Sequence, residues 1–220
     1  VTYNVIIVGG GLAGLTSAVH LSKKGLTVLL IEKNEYPKHK VCGEYISNEV
    51  LPYLKALGFN PFDYGAKNIV DFTLSTPKSS YVSAKLPGGG FGISRYCIDW
   101  ELSKKAKQYG AKILHEIVTD IQFDNDQFEV FTNQDKQYRA ELVIGSFGKR
   151  SNLDVKMNRD FIQKSSPFLG VKAHYIGNFP DDAVGLHNFK GGYCGVSKVE
   201  NDLINICYIA NYNHLSDTKT

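Results

Sequence analysis

The segment Gly9-Gly10-Gly11-Leu12-Ala13-Gly14 sets glycines at the spacing GxGxxG, directly after an apolar run and ahead of a helical pattern. In that setting each glycine meets a separate need. Gly9 allows a tight turn, Gly11 lets the backbone approach a pyrophosphate, and Gly14 permits close packing of helix on strand. A helix opening at Leu12 and Ala13 would turn unpaired N–H groups and a partial positive charge toward the phosphates. Glu32 stands close to the acidic position expected about 20 residues further on. Its carboxylate can accept both ribose hydroxyls of an adenosine, and its charge repels a 2′-phosphate, which disfavours NADP at this site. The plain alternatives are a glycine-rich turn and a solvated strand-end acid paired with a lysine such as Lys33. With strand, glycines, helix and acid all in place, we read a dinucleotide site. The choice between FAD and NAD stays open at this point.

Other chemistry-bearing residues are scattered. Cys42, Cys97, Cys194 and Cys207 form neither a CxxC pair nor a Cys/His metal pattern. We read them as reduced thiols of a cytosolic protein, although Cys194 and Cys207 could face each other across a late hairpin. The histidines, His20, His39, His115, His174, His187 and His214, have no spacing that pairs them with a nucleophile, so no general base is named.

The elements that must position the glycines are legible around them. Tyr3 to Val8 is a short β-branched run, and Thr27 to Ile31 is a second; between them Leu12, Leu15, Ala18, Val19 and Leu21 recur at helical spacing up to a stop at Gly25. This is a βαβ unit with a right-handed crossover. Ser47 to Leu57 predicts a second helix, capped by Ser47 and ended by Gly58, and residues 69–86 alternate as strands. Gly88-Gly89-Gly90 reads as a hinge before a short strand, Phe91 to Ser94, and a helix from Ile98 to Tyr109. Strand character follows at 112–123, 128–132 and 137–144, with a turn at Asp124-Asn125-Asp126. After Ser151 the pattern changes to spaced strands, at 170–175, 184–188, 192–199 and 203–210, with a hairpin turn at Glu200-Asn201-Asp202.

Composition excludes little beyond the extremes. The chain has 220 residues, 43% of them hydrophobic, enough to bury a substantial core in one large domain or one domain and part of another. The formal charge of +3 is too weak a field to argue for nucleic acid or an acidic membrane. No secretory leader is visible, and no run of about 20 apolar residues could span a bilayer.

Three further segments, Pro37 to Gly43, Ile93 to Ala111 and Ala140 to Ser151, together resemble the geranylgeranyl-reductase and aromatic-hydroxylase group of FAD-dependent oxidoreductases, which includes FAD-dependent monooxygenase-like proteins. The resemblance extends over nearly the whole chain. Pro37-Lys38-His39-Lys40-Val41-Cys42-Gly43 is similar to the stretch that geranylgeranyl reductase-like proteins place after the second strand. It implies Lys40 near the flavin phosphates and Cys42-Gly43 near the isoalloxazine or the substrate, with Cys42 the one catalytic candidate. The plain alternative is a basic surface loop and a buried thiol. Ile93-Ser94-Arg95 with Asp99 and Gly110-Ala111 resembles the helix from whose start an arginine reaches the cofactor. A planar guanidinium suits phosphate, although a surface salt bridge from Arg95 to Asp99 would also explain it. Val118 matches a position packed or hydrogen-bonded against adenine. Ala140 to Ser151 is similar to the returning strand and Asp-Gly loop of flavin hydroxylases, with Gly145 and Ser146 beside the flavin, but Phe147 stands where the aspartate would be. A phenylalanine accepts no hydrogen bond, which puts the hydroxylase route for NAD(P)H in doubt.

The resemblance implies an α/β fold: a Rossmann-like FAD/NAD(P)-binding domain over 1–155, strands about 69–94 inserted in it as candidates for the substrate sheet, and from 156 to 220 the start of a β-sheet substrate domain. The group's later Gly-Asp segment has no match before Thr220, so the chain is expected to be truncated. Function is then expected to be that of an FAD-dependent oxidoreductase acting on an apolar or aromatic small molecule. Its electron donor would be NAD(P)H or a redox protein, with peripheral membrane contact through a lipophilic substrate and no nucleic-acid partner. Alternatives are an FAD monooxygenase, a plain NAD-binding dehydrogenase, and a non-catalytic binding module on the same scaffold. Gly191 to Ser197 is similar to an aromatic strand motif of the reductases but lacks its tryptophan, so substrate identity is not carried over.

Overall fold

A computed structural model describes residues 2–149 and 151–215. At its start β1 (Thr2–Val8) enters the glycine turn, α1 (Leu12–Lys23) follows, and β2 (Val28–Ile31) returns parallel to β1 with Val5 opposite Val28. Val5 to Val8 and all of β2 are buried on both faces, the pattern of parallel strands covered on two sides. Each such side chain contributes roughly 1.5–3 kcal/mol by leaving water. The helix stops where Gly25 takes φ +85° and its N–H bonds the Ser22 carbonyl while that of Leu26 reaches Leu21, the left-handed ending that glycine supplies.

The chain continues through β3 (Tyr45–Ser47), α2 (Leu51–Ala56), β4 (Lys67–Ser75), β5 (Tyr81–Gly92), α3 (Arg95–Gln108), β6 (Lys112–Leu114), β7 (Val118–Asp124), β8 (Gln127–Thr132), β9 (Gln137–Gly145) and α4 (Asn152–Lys156). The strands β10 (Phe168–Tyr175), β11 (Ala183–Phe189), β12 (Gly192–Lys198) and β13 (Ile204–Asn211) complete it. Two units result. One runs to Lys38 and again from Asp99 to Ser165; the other comprises His39–Ile98 and the chain from Ser166 onward. The inserted segment is therefore longer than the strands about 69–94, and the second unit resumes at 166 rather than 156.

The first unit is built on a six-stranded sheet in the order β6-β2-β1-β9-β8-β7. Its β6, β2, β1 and β9 are parallel, and β9, β8 and β7 form an antiparallel meander, so the α/β, Rossmann-type architecture is present. Ile6, Val8, Leu29, Ile31, Val118, Val130, Ala140 and Leu153 form the core on one face; α1 packs on β1 and β2. The second unit holds a seven-stranded sheet, β10-β13-β12-β11-β4-β5-β3, antiparallel except where β11 lies parallel to β4. The hairpin at Glu200–Asp202 turns through Asn201 and Asp202, both at φ 58°. Among the described residues no helix is long and apolar enough to cross a membrane.

Several expectations need correction. Gly88 to Gly90 is not a hinge, because β5 runs through it; a Cβ on Gly90 would lie 2.3 Å from the Tyr45 ring and one on Gly92 2.0 Å from the Lys198 carbonyl. These glycines admit close neighbours. The helix expected from Ile98 starts at Arg95, because the Ser94 hydroxyl accepts the Cys97 N–H at 3.0 Å and caps it. After Ser151 the chain first forms α4, capped by Ser151 through the Leu153 N–H, before any strand. Cys194 lies opposite Tyr208 and Cys207 opposite Gly195, so the two thiols point to opposite faces, and none of the four cysteines is in a disulfide.

Candidate functional site

Gly9 cannot carry a side chain: φ is +102°, and a Cβ would sit 2.5 Å from the Ser146 carbonyl oxygen and 2.6 Å from the Phe147 backbone. Gly14 is equally constrained, with 2.0 Å from its Cβ position to the Gly9 carbonyl and 2.6 Å to Ser146 Oγ. The end of β9 is thus part of the turn. Ser146 donates its N–H to Val8 O at 2.8 Å and its hydroxyl to Gly9 O at 2.7 Å. Gly11 is the N-cap of α1 at φ −79° and ψ −173°; no side chain caps the helix there, and its first turn has no acidic residue. A twelve-residue helix with this bare N-terminus, entered by a backbone with no side chains, fits an anionic pyrophosphate.

Gly10, unassigned by motif reasoning, is the most crowded of the set. A Cβ on it would lie 1.8 Å from the Tyr36 hydroxyl and 2.9 Å from Glu32 Cβ. The Gly10 N–H donates to Glu32 Oε2 at 2.7 Å, and the Tyr36 hydroxyl donates to Gly10 O at 2.6 Å. Glu32 is only 7% exposed, so the reading of a solvated strand-end acid fails. Its other oxygen, Oε1, accepts the N–H of Asn34 at 3.0 Å and the Asn34 side-chain amide at 2.9 Å. His115 Nδ1 donates to the Asn34 carbonyl at 2.9 Å and its ring meets Tyr36 edge-on. The carboxylate is thus held in place by the chain itself. A ribose hydroxyl would join a network rather than meet a bare acid. Asn34, Tyr36 and His115 have no periodic or motif signal, since they act through contacts made only after folding.

The remaining candidates divide between the units. Lys33 is exposed; Val118 opens β7 opposite Thr132 and packs in the core; Gly145 ends β9 with its Cβ position 2.9 Å from the Phe147 ring. Beside Ser146 the first unit has an open cleft of about 560 Å³, lined by Ala13, Ile121, Phe128, Val143, Phe147 and Phe161 among others, with Asp154 and Arg159 as its charged members. Lys40, Cys42, Gly43 and Arg95 belong to the second unit. There the Arg95 N–H, at the start of α3, donates to Glu44 Oε1 at 2.7 Å, so this helix end is capped by the chain's own carboxylate. The Cys42 thiol is half-buried and its Sγ accepts the Glu44 N–H at 3.4 Å.

The glycine turn, α1, β2 and Glu32 all fall within a match to a known family. Residues 4–41 match the family described as FAD dependent oxidoreductase. A digeranylgeranylglycerophospholipid reductase of Methanococcus aeolicus is 27% identical over 159 residues, 69% of this chain and 39% of its own length. The 1H-pyrrole-2-carbonyl-[peptidyl-carrier protein] brominase of Pseudoalteromonas luteoviolacea is 26% identical over 186 residues, 80% of this chain and 45% of the relative. The crystal structure of a geranylgeranyl bacteriochlorophyll reductase-like protein from Thermoplasma acidophilum superposes with a TM-score of 0.79 at 20% identity, over 97% of this chain and 57% of that one. The chain therefore spans less than half the length of these two curated relatives.

Proposed function

With residues 4–41 carrying the signature of the FAD dependent oxidoreductases, we propose that this chain holds FAD and forms the front part of a geranylgeranyl reductase-like enzyme acting on an apolar or aromatic small molecule. The observation that carries the proposal is the uncapped α1 N-terminus behind a glycine turn closed by Glu32. FAD, when bound, supplies the hydride or electron transfer. The chain's own residues do the rest. The N–H groups of the first α1 turn meet the pyrophosphate charge, Gly9 and Gly14 let the turn, the helix and the end of β9 pack closely, and Ser146 fixes the turn's carbonyls. Glu32, clamped by Gly10 and Asn34, presents a fixed negative edge to the adenosine ribose.

A reductase is favoured by the digeranylgeranylglycerophospholipid reductases among the relatives. Phe147, at the Asp-Gly position, favours a redox protein over NAD(P)H as electron donor. The substrate would be lipophilic, bringing a cytoplasmic protein into peripheral contact with a membrane. A second reading, flavin-dependent halogenation, has one specific support, the brominase that aligns with 80% of this chain.

One experiment separates the two. The full-length protein, with its flavin reduced by dithionite, is given an isoprenoid lipid without oxygen, or bromide, oxygen and a pyrrole in a parallel reaction. Reduction adds hydrogen pairs to the lipid's double bonds; halogenation replaces a ring hydrogen of the pyrrole, lost as a proton, with bromine. Bromination without lipid reduction would overturn the reductase reading.

A further inference from the structure

Outside the glycine site, the densest set of buried charges lies wholly in the second unit, around Glu44. This residue is 1% exposed and adopts φ +56°, a left-handed conformation that a non-glycine residue holds only when its surroundings enforce it. Its Oε1 accepts the Lys172 ammonium at 2.6 Å as well as the Arg95 N–H; its Oε2 accepts His174 Nε2 at 2.6 Å. The Lys172 side chain is 4% exposed. Lys172 and His174 are alternate residues of β10 and so share a face of the sheet with their β13 partners, Cys207 and Asn205. His39 stands edge-on to His174 and stacks on Tyr96.

Removing a carboxylate and an ammonium from water costs more than their attraction returns unless the geometry is good, and apolar side chains of the same volume would stabilise a sheet as well. What the charges add is placement. The segment they place is Cys42-Gly43-Glu44, which lies outside any strand. Asn205, fully buried, donates its side-chain amide to Gly43 O at 2.8 Å and Cys42 O at 3.4 Å. The Ile93 N–H donates to Glu44 O at 3.1 Å, and the Glu44 N–H points at Cys42 Sγ. The other side is open: Gly43 is exposed, and nothing lies within 4 Å of where its Cβ would be.

We propose that Glu44, held by Lys172 and His174, clamps the Cys42-Gly43 segment and so sets how readily the Cys42 thiol is reached from solvent. The clamp does not rest on the flavoenzyme reading.

The test uses the full-length, FAD-loaded protein and follows alkylation of each cysteine by N-ethylmaleimide, quantified by peptide mass spectrometry, alongside FAD content. Lys172→Met and Glu44→Gln should each accelerate alkylation of Cys42 about tenfold by freeing the segment to open locally. Lys172→Arg should restore the wild-type rate. Cys97 alkylation and FAD content should stay unchanged. Should the single variants fail to fold, the double variant Glu44→Gln/Lys172→Met, which removes both charges together, is labelled in their place. A Cys42 rate that does not move in a folded variant overturns the clamp, as does equal acceleration at Cys97, which would make the cluster a general stability element. If Cys42 responds as expected but the wild-type protein holds no FAD, the flavoenzyme reading falls and the clamp stands.

Discussion

Glu32 accepts the Gly10 N–H at 2.7 Å, so the acid that ends β2 closes the turn that ends β1. In the proposed flavin site one carboxylate would have two duties, holding the turn in shape and offering its charge to a ribose. The first expectation concerns their separation. Glu32→Ala should strand the buried Gly10 donor and cost about 1–3 kcal/mol of stability, and FAD affinity should fall about tenfold to a hundredfold for the loss of a charge-assisted bond worth roughly 1.5–3 kcal/mol. Fluorescence titration with FAD, beside a denaturant melt, checks both. An unchanged affinity would confine Glu32 to the turn.

The glycines should respond differently to one added methyl. Gly14→Ala meets the Gly9 carbonyl at 2.0 Å, a backbone atom that cannot step aside, so folding or FAD uptake should be lost and no neighbouring substitution should restore it. Gly10→Ala meets first the Tyr36 hydroxyl, at 1.8 Å. Tyr36→Phe removes that atom and should recover part of the loss, which for overpacking is about 1–3 kcal/mol. Melting curves of the single and double variants decide it; full additivity of the two would mean that Tyr36 does not crowd Gly10.

Glu116 gives a pH signature to the first unit. Burial alone would push its carboxyl up, but hydrogen bonds from Lys136 and Thr132, the Lys136 charge and the Tyr138 hydroxyl outweigh burial and hold it below the ordinary carboxylate range. A group lowered in the folded state stabilises fully above its unfolded pKa and loses that contribution as pH falls through the folded one. Glu116→Gln should therefore be less stable than wild type at neutral pH, by about 1.5–3 kcal/mol for charge-assisted bonds. The two melting temperatures should converge in acid, below the carboxylate range. A gap that is constant with pH would remove the ion pair from the account.

The reading of Phe147 predicts a kinetic difference. Under anaerobic conditions NADH and NADPH should bleach the bound flavin far more slowly than dithionite does, in a stopped-flow comparison. Rapid bleaching by either nucleotide would return the hydroxylase-style electron supply to consideration.

The β1-α1-β2 unit was readable because its signals are local: two runs of consecutive aliphatics, three spaced glycines and a glycine stop, all close together at the start of the chain. Glu32 was identified for its distance along the chain alone, and that spacing foretold neither its burial nor its bond to Gly10. Gly10, Asn34 and Tyr36 were not, because the reason for each is a partner reached only when β2 and the segment after it fold back on the turn. The same holds for Gly88 to Gly90, read as a hinge although β5 runs through them and Gly90 admits the Tyr45 ring. In the second unit Glu44 carried no signal at all, since its partners Lys172 and His174 lie 128 and 130 residues away.

The most direct measurement is the identity of whatever the full-length protein retains through purification. Released by denaturation and separated from the protein, the chromophore should be FAD, close to one per chain in the wild type and largely lost in Gly14→Ala. A colourless protein that takes up no added FAD, or one that retains NAD at that stoichiometry, would contradict the reading of the glycine turn and Glu32 as a flavin-nucleotide site.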